Sequence, residues 1–331
     1  MNFDSLFSSF SNIKVGVIGD VMLDTYWWGH VDRISPEAPV PIVALDKKEY
    51  RIGGAGNVAL NLVSLGAKAT ILSVIGDDDD SLVLTDLLKK NLINTAYLLK
   101  SPDRLTTNKI RIISRNQQMM RLDKEIIRDL STKEEEGILA KIEDFIIAEK
   151  PSVIIFEDYN KGVLTESLIQ SAIAVCKKHQ VITTVDPKKK NFFSYRGVDI
   201  FKPNLKEVKE GLNISLPEVD EPNLNKVHEQ LQKQLNHLIS FITLSEKGVY
   251  YKGSDKGRVI ASHLRNIADV SGAGDTVIAV ASLLYASTKD MNVAAEVANI
   301  AGGLVCEQVG TAAINKQQLL DECKLLLPAL G

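Results

Sequence analysis

Short apolar, β-branched runs recur along this chain with helical patterns between them, and that rhythm constrains the fold more than any other feature. The runs are "KVGVIGD", "ATILSVIGD", "SVIIFED", "VITTVD" and "LISFITLS"; amphipathic stretches such as "GNVALNLVSLG" and "LIQSAIAVCKKHQ" lie between them. A strand without polar alternation is buried on both faces, which calls for a parallel sheet with helices on each side. The expected fold is a doubly wound, mostly parallel α/β sheet in a single domain over residues 1–331.

Two segments break the rhythm. Residues 21–51 carry aromatics, three prolines and the alternating tail "VPIVALDKKEYRI", and residues 105–123 read "LTTNKIRIISRNQQMMRLD". Both suit exposed β-ribbons, which in an α/β protein usually cover a site, so a small lid is expected from them. The aromatics "YWW" at 26–28 then favour a dimer contact through the lid. The acidic run Asp77–Asp80 fits a loop entering a helix N-terminus.

A net charge of −3 over 331 residues offers no general attraction for nucleic acid or an anionic membrane, so any charge effect must be local. Cys176, Cys306 and Cys323 are odd in number and widely spaced, as free thiols in a reducing compartment would be. The opening "MNFDSLFSSFSNIK" has an early acid and no basic segment ahead of an apolar run, and no apolar run reaches the roughly 18 residues of a membrane helix. A soluble cytoplasmic protein is expected.

Two glycine clusters carry the chemistry. In "GGAGNVA", Gly54, Gly56 and Ala59 match the G-x-G-x-x-A of a dinucleotide fingerprint, with Asp77 near the expected acidic position. The preceding "DKKEYRI" is charged and alternating, however, so the buried strand that motif requires is missing. In "DVSGAGDTVIAV", Gly272, Ala273 and Gly274 lead directly into a helical pattern. Unpaired N–H groups there make an anion site without a P-loop lysine. Asp275 at its edge is either a first-turn acid that the helix start favours, or a base for an incoming hydroxyl; these residues alone leave both open.

Between Arg104 and Lys124 stand Arg104, Lys109, Arg111, Arg115, Arg121 and Lys124 against the single acid Asp123. Arginine suits phosphate, which points to a phosphorylated ligand under the ribbon. Arg104 and Lys124 fit a solvated ribbon edge instead. Lys161 and Lys188 follow strand ends, where α/β ligands bind.

On "GGAGNVALNLVSLGAKATILSVIG" and "DVSGAGDTVIAV" the chain resembles the ribokinase-like (PfkB) carbohydrate kinases almost from end to end. The resemblance implies ATP and Mg²⁺ as cofactors, with room for a monovalent cation, and a small sugar substrate. It also implies a clasped homodimer, Asp275 as catalytic base, and Gly272, Ala273 and Gly274 as the anion hole. "NLKE" (Asn204, Leu205, Lys206, Glu207) resembles the family's N-x-x-E by the nucleotide phosphates, with Glu207 holding Mg²⁺ through water. Ser245, Lys247 and Gly248 of "TLSEKG" resemble its nucleotide loop, and Asn299 sits where the family places a residue near adenine.

Within the family, "GDVMLDTYWWGHVDRISPEAPVPIV", "SRNQQMMRLD", "EDYNKG" and "VDPKK" resemble the D-glycero-β-D-manno-heptose 7-phosphate kinases of ADP-heptose and lipopolysaccharide core synthesis. That resemblance implies a sugar site of Asp20, Asp24, Gly53, Gly54 and Asn57. Arg111, Arg115, Asn116, Asp158, Lys161 and Lys188 are its further candidates for substrate contact. "GDDDDS" lacks the second glycine of the G-D-D-x-x-G found in many sugar kinases, as in the heptose enzymes. The rivals are a kinase for another sugar or sugar phosphate, a nicotinamide-dependent oxidoreductase using "GAGNVA", and a non-catalytic sugar sensor.

Overall fold

The computed structural model describes residues 2–328 except 116, 264 and 309. Its main sheet has eight strands, in the spatial order Arg258–Ile260, Val249–Lys252, Ile239–Thr243, Ile200–Phe201, Ile182–Asp186, Val153–Glu157, Lys14–Gly19 and Lys68–Leu72. From Ile239–Thr243 onward every neighbouring pair is parallel. The first two strands add an antiparallel edge, so the doubly wound expectation holds with a hairpin appended.

Period-two alternation divides the strand side chains between two cores. Val153 and Ile155 pack under the helices Ala55–Ser64, Ala273–Thr288 and Met291–Cys306; Ile154 and Phe156 pack under Thr132–Glu149, Glu166–Lys178 and Glu221–Leu235. Each fully buried aliphatic or aromatic side chain contributes about 1.5–3 kcal/mol, which is why the runs carry no polar alternation. By the same parity Glu157 and Asp186, in register at the ends of adjacent strands, turn toward the first of these faces.

The two segments that break the rhythm form a separate four-stranded sheet, in the order Pro41–Gly54, Val21–Ile34, Asn108–Ser114, Gln117–Lys124. Its register puts Trp27, Tyr50, Ile110, Ile112, Met120 and Leu122 on one face, and Asp24, Tyr26, Arg51, Lys109, Arg111 and Arg121 on the other. Asp78 caps the helix Asp79–Lys90 by accepting from the Ser81 N–H at 3.0 Å, and Lys124 ties that helix start to the ribbon through Asp78 and Asp80. Arg104 departs from the solvated position expected for it. It is buried, donating to the carbonyls of Arg128 (3.1 Å) and Lys161 (2.7 Å), because three loops close over it and need a donor there. Among the described residues no helix is long and apolar enough to cross a membrane.

Candidate active site

The helix Ala273–Thr288 starts after Gly272, whose φ of 80° lies in the left-handed region that glycine enters without a Cβ penalty. The N–H groups of Gly274 and Asp275 find no acceptor among the described residues, leaving them free for an anion. Asp275 is 5% exposed, and its carboxylate accepts from Asn57 Nδ2 and from the Tyr159 hydroxyl, each at 2.7 Å. Burial raises its pKa to about 6, against the lowering effect of those two hydrogen bonds. A carboxylate in this state is mostly ionised at neutral pH and holds a proton more tightly than an ordinary aspartate. It can therefore accept a proton from a hydroxyl.

The first glycine cluster meets the second here. Asn57 lies on the helix Ala55–Ser64 and bridges to Asp275, while a Cβ on Gly53 would run into the Asp24 carboxylate. Asp24, 5% exposed, accepts from Arg111 at 2.6 Å, and the Arg111 guanidinium lies 5.2 Å from the Tyr26 ring centroid. Gly54 turns the chain out of the ribbon strand, and the Ala55 N–H bonds the Asp20 carbonyl at 3.0 Å.

Asp20 and Asp158 face the protein rather than an open site. The Asp20 carboxylate accepts the backbone N–H groups of Tyr159 (2.8 Å), Lys161 (3.1 Å) and Val163 (3.1 Å), so it shapes the "EDYNKG" loop. Asp158 is fully buried behind that loop and accepts from Asn160 N–H, Asn191 Nδ2 and Tyr195 hydroxyl; burial and then Asp20 push its pKa to about 6. Backbone donors and neighbouring side chains occupy the oxygens of both.

Strand ends supply the floor. Asp186 carries two ammonium groups, Lys202 Nζ at 2.8 Å and Lys188 Nζ at 3.1 Å, which outweigh burial and hold its carboxyl below the usual range. Lys202 is only 2% exposed. Glu157 beside it is fully buried, and neither of its carboxyl oxygens has a hydrogen-bond partner among the described residues. Burial, then Asp186 and Asp275, drive its pKa well above the usual carboxylate value, which favours its protonated form.

Lys188 also reaches Glu207 at 3.0 Å and thereby links the floor to the nucleotide candidates. Asn204 and Glu207 form a reciprocal capping box at the start of the helix Leu205–Leu212. Asn204 pairs with Thr243, so "NLKE" and "TLSEKG" are neighbours. Leu205 packs on the second core, whereas Lys206 points to solvent with Glu210. Ser245 and Lys247 are exposed in a tight turn closed by Gly248, which abuts Ile260–Ser262, and Asn299 Nδ2 holds the Ala261 carbonyl at 2.8 Å. The three pieces thus adjoin one another in space.

For Mg²⁺ the donor set is thin. Glu207 is occupied by Lys188 and by the Asn204 N–H (2.8 Å), and no group of three or more acidic, histidine or cysteine residues could cage a metal among the described residues. That fits an ion that keeps its waters and rides on nucleotide phosphates, with Glu207 as a water-mediated partner.

Arg115 stands apart from this cluster. It is at the ribbon tip with its side chain 78% exposed, 3.9 Å from Asp32; Asn116 lies outside the described residues. Sequence reasoning missed Tyr159, Asp186, Glu157 and Lys202. The first three lie inside the distinctive segments "EDYNKG" and "VDPKK" or at their edge, and strand-end position was a usable signal for Asp186. Lys202 follows a two-residue strand too short to announce itself.

The model for the pfkB family carbohydrate kinases matches residues 12–318. This chain belongs to that family. It is a carbohydrate kinase, and the site above is where the family's two glycine motifs converge. The chain is 37% identical over 320 residues to the bifunctional protein HldE of Geobacter metallireducens, covering 96% of this chain and 64% of that protein. It is 40% identical over 308 residues to the HldE of Aliarcobacter butzleri, covering 92% and 63%. The chain thus spans just under two thirds of the length of these curated relatives.

Among solved structures, Escherichia coli phosphofructokinase-2 in complex with potassium superposes with a TM-score of 0.77 at 16% identity, covering 94% of this chain and 99% of that one. Arabidopsis thaliana ribokinase complexed with ribose and ATP gives 0.72 at 14%, covering 93% and 98%. The fold is ribokinase-like. A dinucleotide site at Gly54, Gly56 and Ala59 is excluded on geometry, since the strand before them is the antiparallel ribbon strand Pro41–Gly54 and not a core strand.

Proposed function

We propose that this kinase transfers the γ-phosphoryl group of ATP to O1 of D-glycero-β-D-manno-heptose 7-phosphate, giving the 1,7-bisphosphate for ADP-heptose and lipopolysaccharide core synthesis. The hydrogen bond from Tyr159 to Asp275 carries the reading. "EDYNKG" is among the segments that resemble heptose 7-phosphate kinases, and its tyrosine ends on the carboxylate that would deprotonate the acceptor. The acceptor side of the site is therefore built from those segments.

In this scheme O1–H donates to Asp275. As the O1–P bond forms and the bond from γ-phosphorus to the bridging oxygen breaks, Asp275 takes the proton and ADP leaves. The free N–H groups of Gly274 and Asp275 receive the charge on the moving phosphoryl oxygens, and Lys188 and Lys202 keep Asp186 ionised beneath them. Mg²⁺, when bound near Glu207, would neutralise the nucleotide phosphates. Asp24, Gly53 and Asn57 would line the sugar, and the ribbon sheet would act as lid.

The lid's other face supports a homodimer. Met120 is 55% exposed, Leu122 42% and Tyr50 39% on this face, which a second copy would cover. A panel of sugars and sugar phosphates incubated with ATP, with phosphorus NMR of the products, tests the assignment. A new anomeric phosphate on the heptose 7-phosphate is expected, and faster turnover of an unphosphorylated sugar would overturn it.

A further inference from the structure

Two ammonium groups approach the Tyr159 ring: Lys109 Nζ from the ribbon sheet, 5.6 Å from the centroid, and Lys188 Nζ from the main sheet, 5.7 Å from it. They differ in what neutralises them. Lys188 is bonded to Asp186 and Glu207, on the nucleotide side. Lys109 has no hydrogen-bond or ion-pair partner among the described residues, although it is half-buried.

The carboxylates near enough to act on Lys109 are already taken. Register sets Lys109 between Asp24 and Asp123, but Arg111 holds Asp24 at 2.6 Å and Arg121 holds Asp123 at 2.8 Å. Lys161 holds the third, Glu125, at 2.7 Å. Burial, and then the charge of Lys161, keep Lys109 below the usual lysine value. Two ammonium groups in a partly desolvated cleft, one without any acceptor, are unfavourable until an anion joins them.

We propose that Lys109 binds the phosphate at the end of the acceptor remote from its reacting hydroxyl, and that Tyr159 sets the separation between that phosphate and Asp275. The inference rests on the sugar-phosphate reading above and names its anchor. With its hydroxyl 2.7 Å from Asp275 and its ring centroid 5.6 Å from Lys109 Nζ, Tyr159 keeps an anion on Lys109 off the base. That separation suits an acceptor with a hydroxyl at one end of the sugar and a phosphate at the other. It does not suit the nucleotide, whose transferred group must touch residues 272–275 themselves. Arg111 is held by Asp24 and Tyr26, and Arg115 stands exposed at the ribbon tip, so neither competes for this role.

The test compares kcat/KM for heptose 7-phosphate with that for the same heptose lacking the phosphate, in the wild type, Lys109→Met and Lys109→Arg. Methionine keeps the aliphatic stem and removes the charge, and because Lys109 makes no bond its melting temperature should not fall. The wild-type ratio is expected to favour the phosphorylated sugar, and Lys109→Met to shrink that ratio by about 10- to 150-fold, as loss of a charge-assisted contact does. Lys109→Arg should recover part of it. Calorimetric titration of heptose 7-phosphate without nucleotide should show the same weakening independently of turnover. An unchanged ratio and unchanged titration in Lys109→Met overturn the anchor while leaving the sugar-phosphate reading intact. A wild-type preference for the unphosphorylated sugar overturns that reading instead.

Discussion

Replacing Asp275 with asparagine should raise stability while nearly abolishing turnover. The folded pKa of Asp275 is about 6 against an ordinary 3.8, so the native state binds this proton more tightly than the unfolded chain. Its contribution to stability is complete below the ordinary value and is lost as pH rises through about 6. A rise of that size corresponds to about 3 kcal/mol of destabilisation at pH 8 and about half of that at pH 5, and burial leaves little solvent screening to discount.

Asparagine does not ionise and escapes this penalty. Part of the gain is returned, because two donors converge on the site and an amide offers one acceptor oxygen; Asn57 must turn its own amide to compensate. A net gain of about 1–2 kcal/mol at pH 8 is expected, smaller at pH 5. Loss of the general base lowers kcat by at least about 10²-fold. Denaturant midpoints at the two pH values and a coupled ADP assay measure both effects. Either a kcat above about a third of wild type or a stability gain that shrinks toward pH 8 refutes the reasoning.

Three further outcomes follow from the same cluster and from the ribbon. Tyr159→Phe removes a hydrogen bond that lowers the Asp275 pKa, so the acid limb of kcat/KM, near pH 6 in the wild type, should move up by about one pH unit; a limb that stays in place would show that the bond does not tune the base. Glu157→Gln should raise the melting temperature, more at neutral pH than at pH 5, because burial favours a proton on the carboxyl that the unfolded chain has released; an advantage that does not grow with pH would mean that Glu157 is ionised in the fold. Replacing Trp27 with serine should lower the mass in sedimentation toward that of a monomer, and an unchanged mass would remove the proposed ribbon dimer.

Local chemistry wrote the larger elements of this protein into its sequence. Unalternated apolar runs require burial on both faces, and "GAGD" requires a helix that begins on free N–H groups, because strand parity and the glycine backbone act within a few residues. The two ribbons were legible for the same reason, as alternating segments between aromatic and proline-rich turns. The pairings of the charges were not. Arg104 reads as a solvated edge residue and is buried because loops distant in the chain close over it. Asp186 and Glu157 are carboxyls at the ends of neighbouring strands, in register and facing the same helix start, yet Lys202 and Lys188 lower the pKa of one while desolvation raises that of the other. Tyr159 meets Asp275 across 116 positions of sequence, and Lys109 is left without a partner among the described residues because Arg111, Arg121 and Lys161 claim the nearby acids. Inter-strand register and desolvation decide such partners, and both arise only once the sheets and loops have packed together.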